Sequence, residues 1–155
     1  MPAPSSASLL FGVSARDTTV ACATPYRYRV LRQESGAEPS EPVTAQTAPA
    51  AVDSVSATVA GIGWSRLRWN YPGCTCGTRS GVLRIERRLV GLIAWEFVKT
   101  VPVSATAAAY ETTVPVPSCE SIQFRIRAEL NLGGTTQAGA WGYSLAHSTF
   151  CGPGM

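Results

Sequence analysis

From residue 52 onward, apolar and polar positions alternate with a period of two. In GWSRLRWNYP, Leu67, Trp69 and Tyr71 fall on one side, while Trp64, Arg66 and Arg68 fall on the other. VLRIERR sets Leu83 and Ile85 against Arg84 and Glu86, and IQFRIRAEL sets Ile122, Phe124, Ile126 and Ala128 against Gln123, Arg125 and Arg127. This period marks half-buried strands. VSATVAG, AWEFVKTV, TAAAYETTV and the closing QAGAWGYSLAHSTF add further strand-like runs. Turn chemistry separates them: Pro72-Gly73, Val90-Gly91, the corner PVPSCES and the Gly133-Gly134 pair. No helical period interrupts the series. The pattern predicts an all-β, antiparallel sandwich of seven strands, with Leu67, Trp69, Leu83, Ile85, Tyr110, Phe124 and Ile126 in its core.

The N-terminal third reads differently. Residues 1–16 are rich in Pro, Ser and Ala and predict an extended arm. Two strands, 26–32 and 42–47, flank a polar turn carrying Gly36 and Pro39, and TAPAAVDS reads as a linker. This gives two units, 1–50 and 51–151. Residues 17–47 repeat the order of residues 111–149: DTTV then YRYRV in the first, ETTV then IQFRIRA in the second. Only the second stretch is preceded by the other strands a sandwich needs. A lone two-stranded hairpin is marginal in water. Tyr26, Tyr28 and Val30 are therefore expected to seek an apolar surface on a neighbouring chain. The rival expectation is packing on the chain's own sandwich, over Trp64.

Composition narrows the function. Only 15% of residues are charged against 45% hydrophobic, a bland surface suited to packing among other subunits. The net charge of +3 comes almost wholly from arginine, with Lys99 the single lysine, and no basic run points to nucleic acid. No run approaches the length of a transmembrane helix. LLFGV (9–13) is too short for a signal-peptide core and no positive charge precedes it, so a non-exported chain is expected. The five cysteines include no CxxC, and neither a metal site nor a cofactor is expected. His147 is the single histidine, with no nucleophile motif around it, and no enzymatic activity is expected.

These motifs together resemble the fibronectin type III family. LRWNYP is similar to its second strand, VLRIERR to its third, AWEFVKTVPVSATAAAYETTV to the stretch ending at its fifth, and IQFRIRAELNLGG to its sixth strand and turn. TPYRYRVLRQESGAEPSEPVTAQTAP resembles the sixth and seventh strands again. The resemblance implies an immunoglobulin-like sandwich with an N-terminal arm and β-hairpin. The family opens its sixth strand with a tyrosine whose hydroxyl bonds back to the preceding corner. Tyr26 fits that position in the first copy, and Ile122 replaces it in the second. In this topology Cys119 and Cys151 share one pole, making them the disulfide candidate, with Cys74 and Cys76 at the other.

The resemblance also implies a role. Such domains occur in virions of tailed bacteriophages, so a non-enzymatic structural protein is expected: a capsid decoration, collar or fibre-base component. It would contact other virion proteins and copies of itself, as a homo-oligomer or part of a larger assembly. The alternative is a carbohydrate- or surface-binding module of a secreted, extracellular bacterial protein. The partner contacts expected are Trp64, Arg66 and Arg68 on one sheet, Arg84, Arg88, Arg125 and Arg127 on the other, and the hairpin residues Tyr26, Tyr28 and Val30. For the arginines on the third and sixth strands, a plain solvated sheet face is the competing reading.

Overall fold

The computed structural model describes residues 16–18, 20–31, 36–73 and 80–152. The first fifteen residues, Arg32 at the end of the expected first strand, and Cys74 and Cys76 lie outside them.

Strands β1 (Pro25–Tyr28) and β2 (Val43–Gln46) pair antiparallel as a separate hairpin. The sandwich follows. Its first sheet holds β3 (Asp53–Gly61), β4 (Trp64–Asn70) and β7 (Ala109–Pro115) in the order β3-β4-β7. Its second is built on β8 (Ser121–Leu132), flanked by β5 (Gly81–Leu89) and then β6 (Glu96–Pro102). On the other side of β8 run β9 (Thr135–Ala138), β10 (Gly142–Tyr143) and β11 (His147–Ser148), all antiparallel to it. Three strands facing four, joined across the gap by β4-to-β5, β6-to-β7 and β7-to-β8 crossings, make an immunoglobulin-like, fibronectin-type-III-like sandwich.

The period-two pattern sets the core. β4 alternates strictly between exposed and buried, placing Leu67 and Trp69 inward, and β8 does the same with Ile122, Phe124, Ile126 and Ala128. Leu83 and Ile85 of β5 complete the facing layer. Trp69 lies flat on Tyr110, ring centroids 5.6 Å apart and planes 7° off parallel. That stack joins β4 to β7 within one sheet, and the half-buried Tyr110 closes the rim of the core.

The seventh strand departs from expectation. It breaks into three short pieces, and the linker supplies the reason. Pro49 to Val52 run directly against it. A Cβ on Gly139 would lie 2.7 Å from the Ala50 carbonyl oxygen, and one on Gly142 would lie 2.4 Å from that of Val52. Glycine is the residue that permits so close an approach of two backbones.

The N-terminal segment docks at the pole away from Trp64. Ala23 is fully buried among Leu130, Leu132 and Val103. Its N–H donates to the Ala48 carbonyl, and Thr47 Oγ1 donates to that of Ala21. The expectation of packing over Trp64 is thereby corrected. The segment just before β1 is anchored on this chain's own sandwich, at the Leu130 end and not over Trp64.

Candidate interaction face and a buried serine–histidine pair

The outer face of the four-stranded sheet carries its chemistry in register. β5 and β8 pair so that Arg84 sits opposite Arg127, Glu86 opposite Arg125 and Arg88 opposite Gln123. Four arginines this close would repel one another, and two features offset the repulsion. Carboxylates are placed among them. Glu86 accepts from Arg84 Nε and from Arg125 Nε, each at 2.8 Å, and Glu129 accepts from Arg127. Burial alone would raise the pKa of Glu86, but the hydrogen bonds and charges of Arg84 and Arg125 outweigh it and hold the carboxyl below its usual value.

Aromatic rings supply the second feature. Trp95, just before β6, reaches across β5 and lies 4.6 Å from the Arg88 guanidinium carbon and 4.4 Å from that of Arg125. Arg125 also lies 4.1 Å from the Trp141 ring, and Trp141 meets Arg127 at 4.4 Å. The five side chains form one continuous stack, Arg88–Trp95–Arg125–Trp141–Arg127. Arg84 lies over Phe97 at 4.8 Å, and Tyr143 meets Trp95 edge-on at 5.9 Å. Each cation–π contact contributes about 0.5–1 kcal/mol at an exposed site, and more where water is excluded.

Arg88 differs from its neighbours. Among the described residues it makes no ion pair, and its Nε and Nη2 both donate to Gln123 Oε1, at 3.1 and 2.8 Å. Beside it the β5–β6 turn exposes Leu92 and Ile93, and the segment after β10 exposes Leu145. Ile93 is 91% exposed and Leu145 88%.

The remaining expected contacts are scattered. Trp64 is 49% exposed on the other sheet and, among the described residues, uncovered. Arg66 and Arg68 beside it both pair with Glu111. Tyr26 and Tyr28 stack on each other at 6.2 Å, and their own chain occupies their hydroxyls. Ala21 N–H donates to Tyr26 Oη at 2.7 Å, and Tyr28 Oη donates to Asp17 at 3.4 Å. Tyr26 thus makes the corner bond back to the preceding turn, while Val30 stays exposed.

At Ile122 the matching corner is tied differently. Glu120 N–H donates to Thr149 Oγ1 at 2.9 Å, and Cys119 and Cys151 form a disulfide with Cα atoms 4.6 Å apart. Cys22, for which the sequence suggested no partner, is also disulfide-bonded.

A second polar site was not anticipated. Ser65 Oγ and His147 Nε2 lie 2.8 Å apart inside the sandwich, joining β4 to β11. The imidazole also packs on Phe124 at 5.8 Å. Burial lowers its pKa, against a smaller upward pull from the Ile122 backbone. A serine beside a histidine is the opening pair of a nucleophilic centre. Here Ser65 is wholly buried, and Nδ1 lacks an orienting carboxylate and any well-formed hydrogen bond. The pair fastens the last strand to the opposite sheet. The clue was Ser65 itself, a polar residue on the inward side of β4.

No protein-family model and no curated protein matches the chain. Solved structures do resemble it. Domains A168-A170 from titin align over 70% of this chain and 36% of that one, with 16% identity and a TM-score of 0.51. The titin kinase with its flanking domains aligns over 66% and 17%, with 18% identity and a TM-score of 0.50. The extracellular domains d3-d4 of rat CD45 align with 14% identity and a TM-score of 0.40. The chain thus spans about a third or less of the two titin chains it matches. The likeness establishes the immunoglobulin- and fibronectin-like fold.

Proposed function

We propose that this chain is a non-enzymatic structural protein that joins an assembly through the outer face of its four-stranded sheet. One observation carries the reading: the continuous arginine–tryptophan stack bordered by exposed Leu92, Ile93 and Leu145. Trp, Tyr and Arg are the residues that dominate interface energetics. Stacking holds them rigid before contact, which lowers the ordering cost of association. The low charge content is in keeping with a surface that meets other proteins.

The assembly we propose is a bacteriophage virion, in line with the fibronectin-like sequence motifs. A glycan-binding role is less well supported by the geometry. Sugars stack on open aromatic faces, and here two guanidinium groups lie over each of the Trp95 and Trp141 rings.

Co-purification tests the reading. The protein should travel with intact particles at fixed stoichiometry. An Ile93→Asp/Leu145→Asp variant with an unchanged melting curve should be left in the unassembled fraction. Recovery of that variant in particles at the wild-type ratio would sink the proposal, and so would retention of the wild-type protein on polysaccharide alone.

A further inference from the structure

We infer that the arginine–tryptophan face recognises an acidic segment of another protein, in which a carboxylate flanked by apolar side chains docks on Arg88. The inference rests on the docking role proposed above and deepens it by naming the partner's chemistry.

Charge selects the partner. Arg84, Arg88, Arg125 and Arg127 stand against only Glu86 and Glu129, which leaves the face with two net positive charges. Two copies of this face would bring like charges together, so self-pairing is disfavoured. An acidic partner gains by the same charges.

Position selects the anchor. The carboxylates of Glu86 and Glu129 already engage Arg84, Arg125 and Arg127. Arg88 meets only the neutral amide oxygen of Gln123 and the ring of Trp95, which fix its plane. A guanidinium has five N–H donors, and those bonds use two of them. A carboxylate can take the rest in a paired, charge-assisted geometry. Ile93 and Leu92 on one side and Leu145 and Tyr143 on the other offer apolar contact to the residues flanking that carboxylate. The central charge would be shielded from water by this rim, the arrangement in which charged pairs gain most.

Three 12-residue fluorescein-labelled peptides test the inference by anisotropy with the full chain: alternating Leu/Asp, alternating Leu/Ser and alternating Leu/Lys. The Leu/Asp peptide should bind at least tenfold more tightly than the other two. Arg88→Gln should remove that preference, and Ile93→Asp, on an exposed turn that folding does not need, should weaken binding of Leu/Asp tenfold or more. Equal binding of Leu/Asp and Leu/Ser, abolished by Ile93→Asp, would overturn the acidic preference while leaving the docking face in place. Binding of none of the peptides, together with unaltered particle incorporation of the Ile93→Asp/Leu145→Asp variant, would overturn both. Displacement of the Leu/Asp peptide by an equal concentration of a single-stranded oligonucleotide would assign the face to polyanions and also overturn the inference.

Discussion

Ser65 of one sheet and His147 of the other meet at 2.8 Å in the sandwich interior, and this contact makes the fold sensitive to acid. Burial lowers the folded-state pKa of His147 below its ordinary value. The unfolded chain therefore takes up the proton first as pH falls. The stability linked to this group is complete above the unfolded pKa, near 6.5, and is lost as pH drops below it toward the folded value. His147 is the single histidine, so no other histidine shares that window. Thermal melts from pH 7.5 to 5 should show a decline in the wild type that His147→Gln flattens. Parallel pH profiles for the two proteins would refute the assignment.

Glu86 gives a test of the same sign at lower pH. Its carboxylate is held ionised by Arg84 and Arg125, so its contribution is present above the unfolded carboxyl value. It is lost as pH falls through the lower folded one. Glu86→Gln should cost about 2 kcal/mol at pH 7, the scale of hydrogen bonds to charged groups. Urea titrations should show the gap between variant and wild type closing below pH 4. A gap that persisted in acid would mean that packing, not charge, explains the loss.

Trp69 anchors the core, fully buried and stacked on Tyr110. Trp69→Ala should cost about 3–5 kcal/mol, the range for removing a large buried aromatic. Chemical denaturation measures it. A loss below about 0.5 kcal/mol, the level of an ordinary surface change, would contradict the inward register of β4.

The strands and the core were legible because both depend on period-two alternation, and Leu67, Trp69, Leu83, Ile85, Phe124 and Ile126 all announce their side that way. The outward direction of Arg84, Arg88, Arg125 and Arg127 followed from the same rule. Their stacking did not. Trp95 lies before its strand and crosses β5 to reach Arg125, a placement that no local pattern encodes. The serine–histidine contact spans 82 residues and was equally hidden. The three-part last strand was missed because its cause, the passage of Pro49–Val52 across Gly139 and Gly142, lies elsewhere in the chain.

Ala23 sets the last prediction. It is fully buried between the hairpin and the sandwich, with φ of 51° in the left-handed region. Its methyl group touches a small cluster of Leu130, Leu132 and Val103 that has no room for a charged side chain. Ala23→Glu would place an unpaired carboxylate there, and the cheapest response is release of the N-terminal segment. The sandwich has its own core and should persist. Limited proteolysis with the Cys22 disulfide reduced should then cut Ala23→Glu near residues 48–52 much faster than wild type, leaving a stable fragment that begins at the sandwich. Ala23→Gly, which relieves the backbone and keeps the fit, should cut at about the wild-type rate. If Ala23→Glu stays as resistant as wild type, the hairpin is held by other contacts and the Ala23 anchor is refuted. If it is digested throughout, the N-terminal segment is an integral part of the sandwich fold.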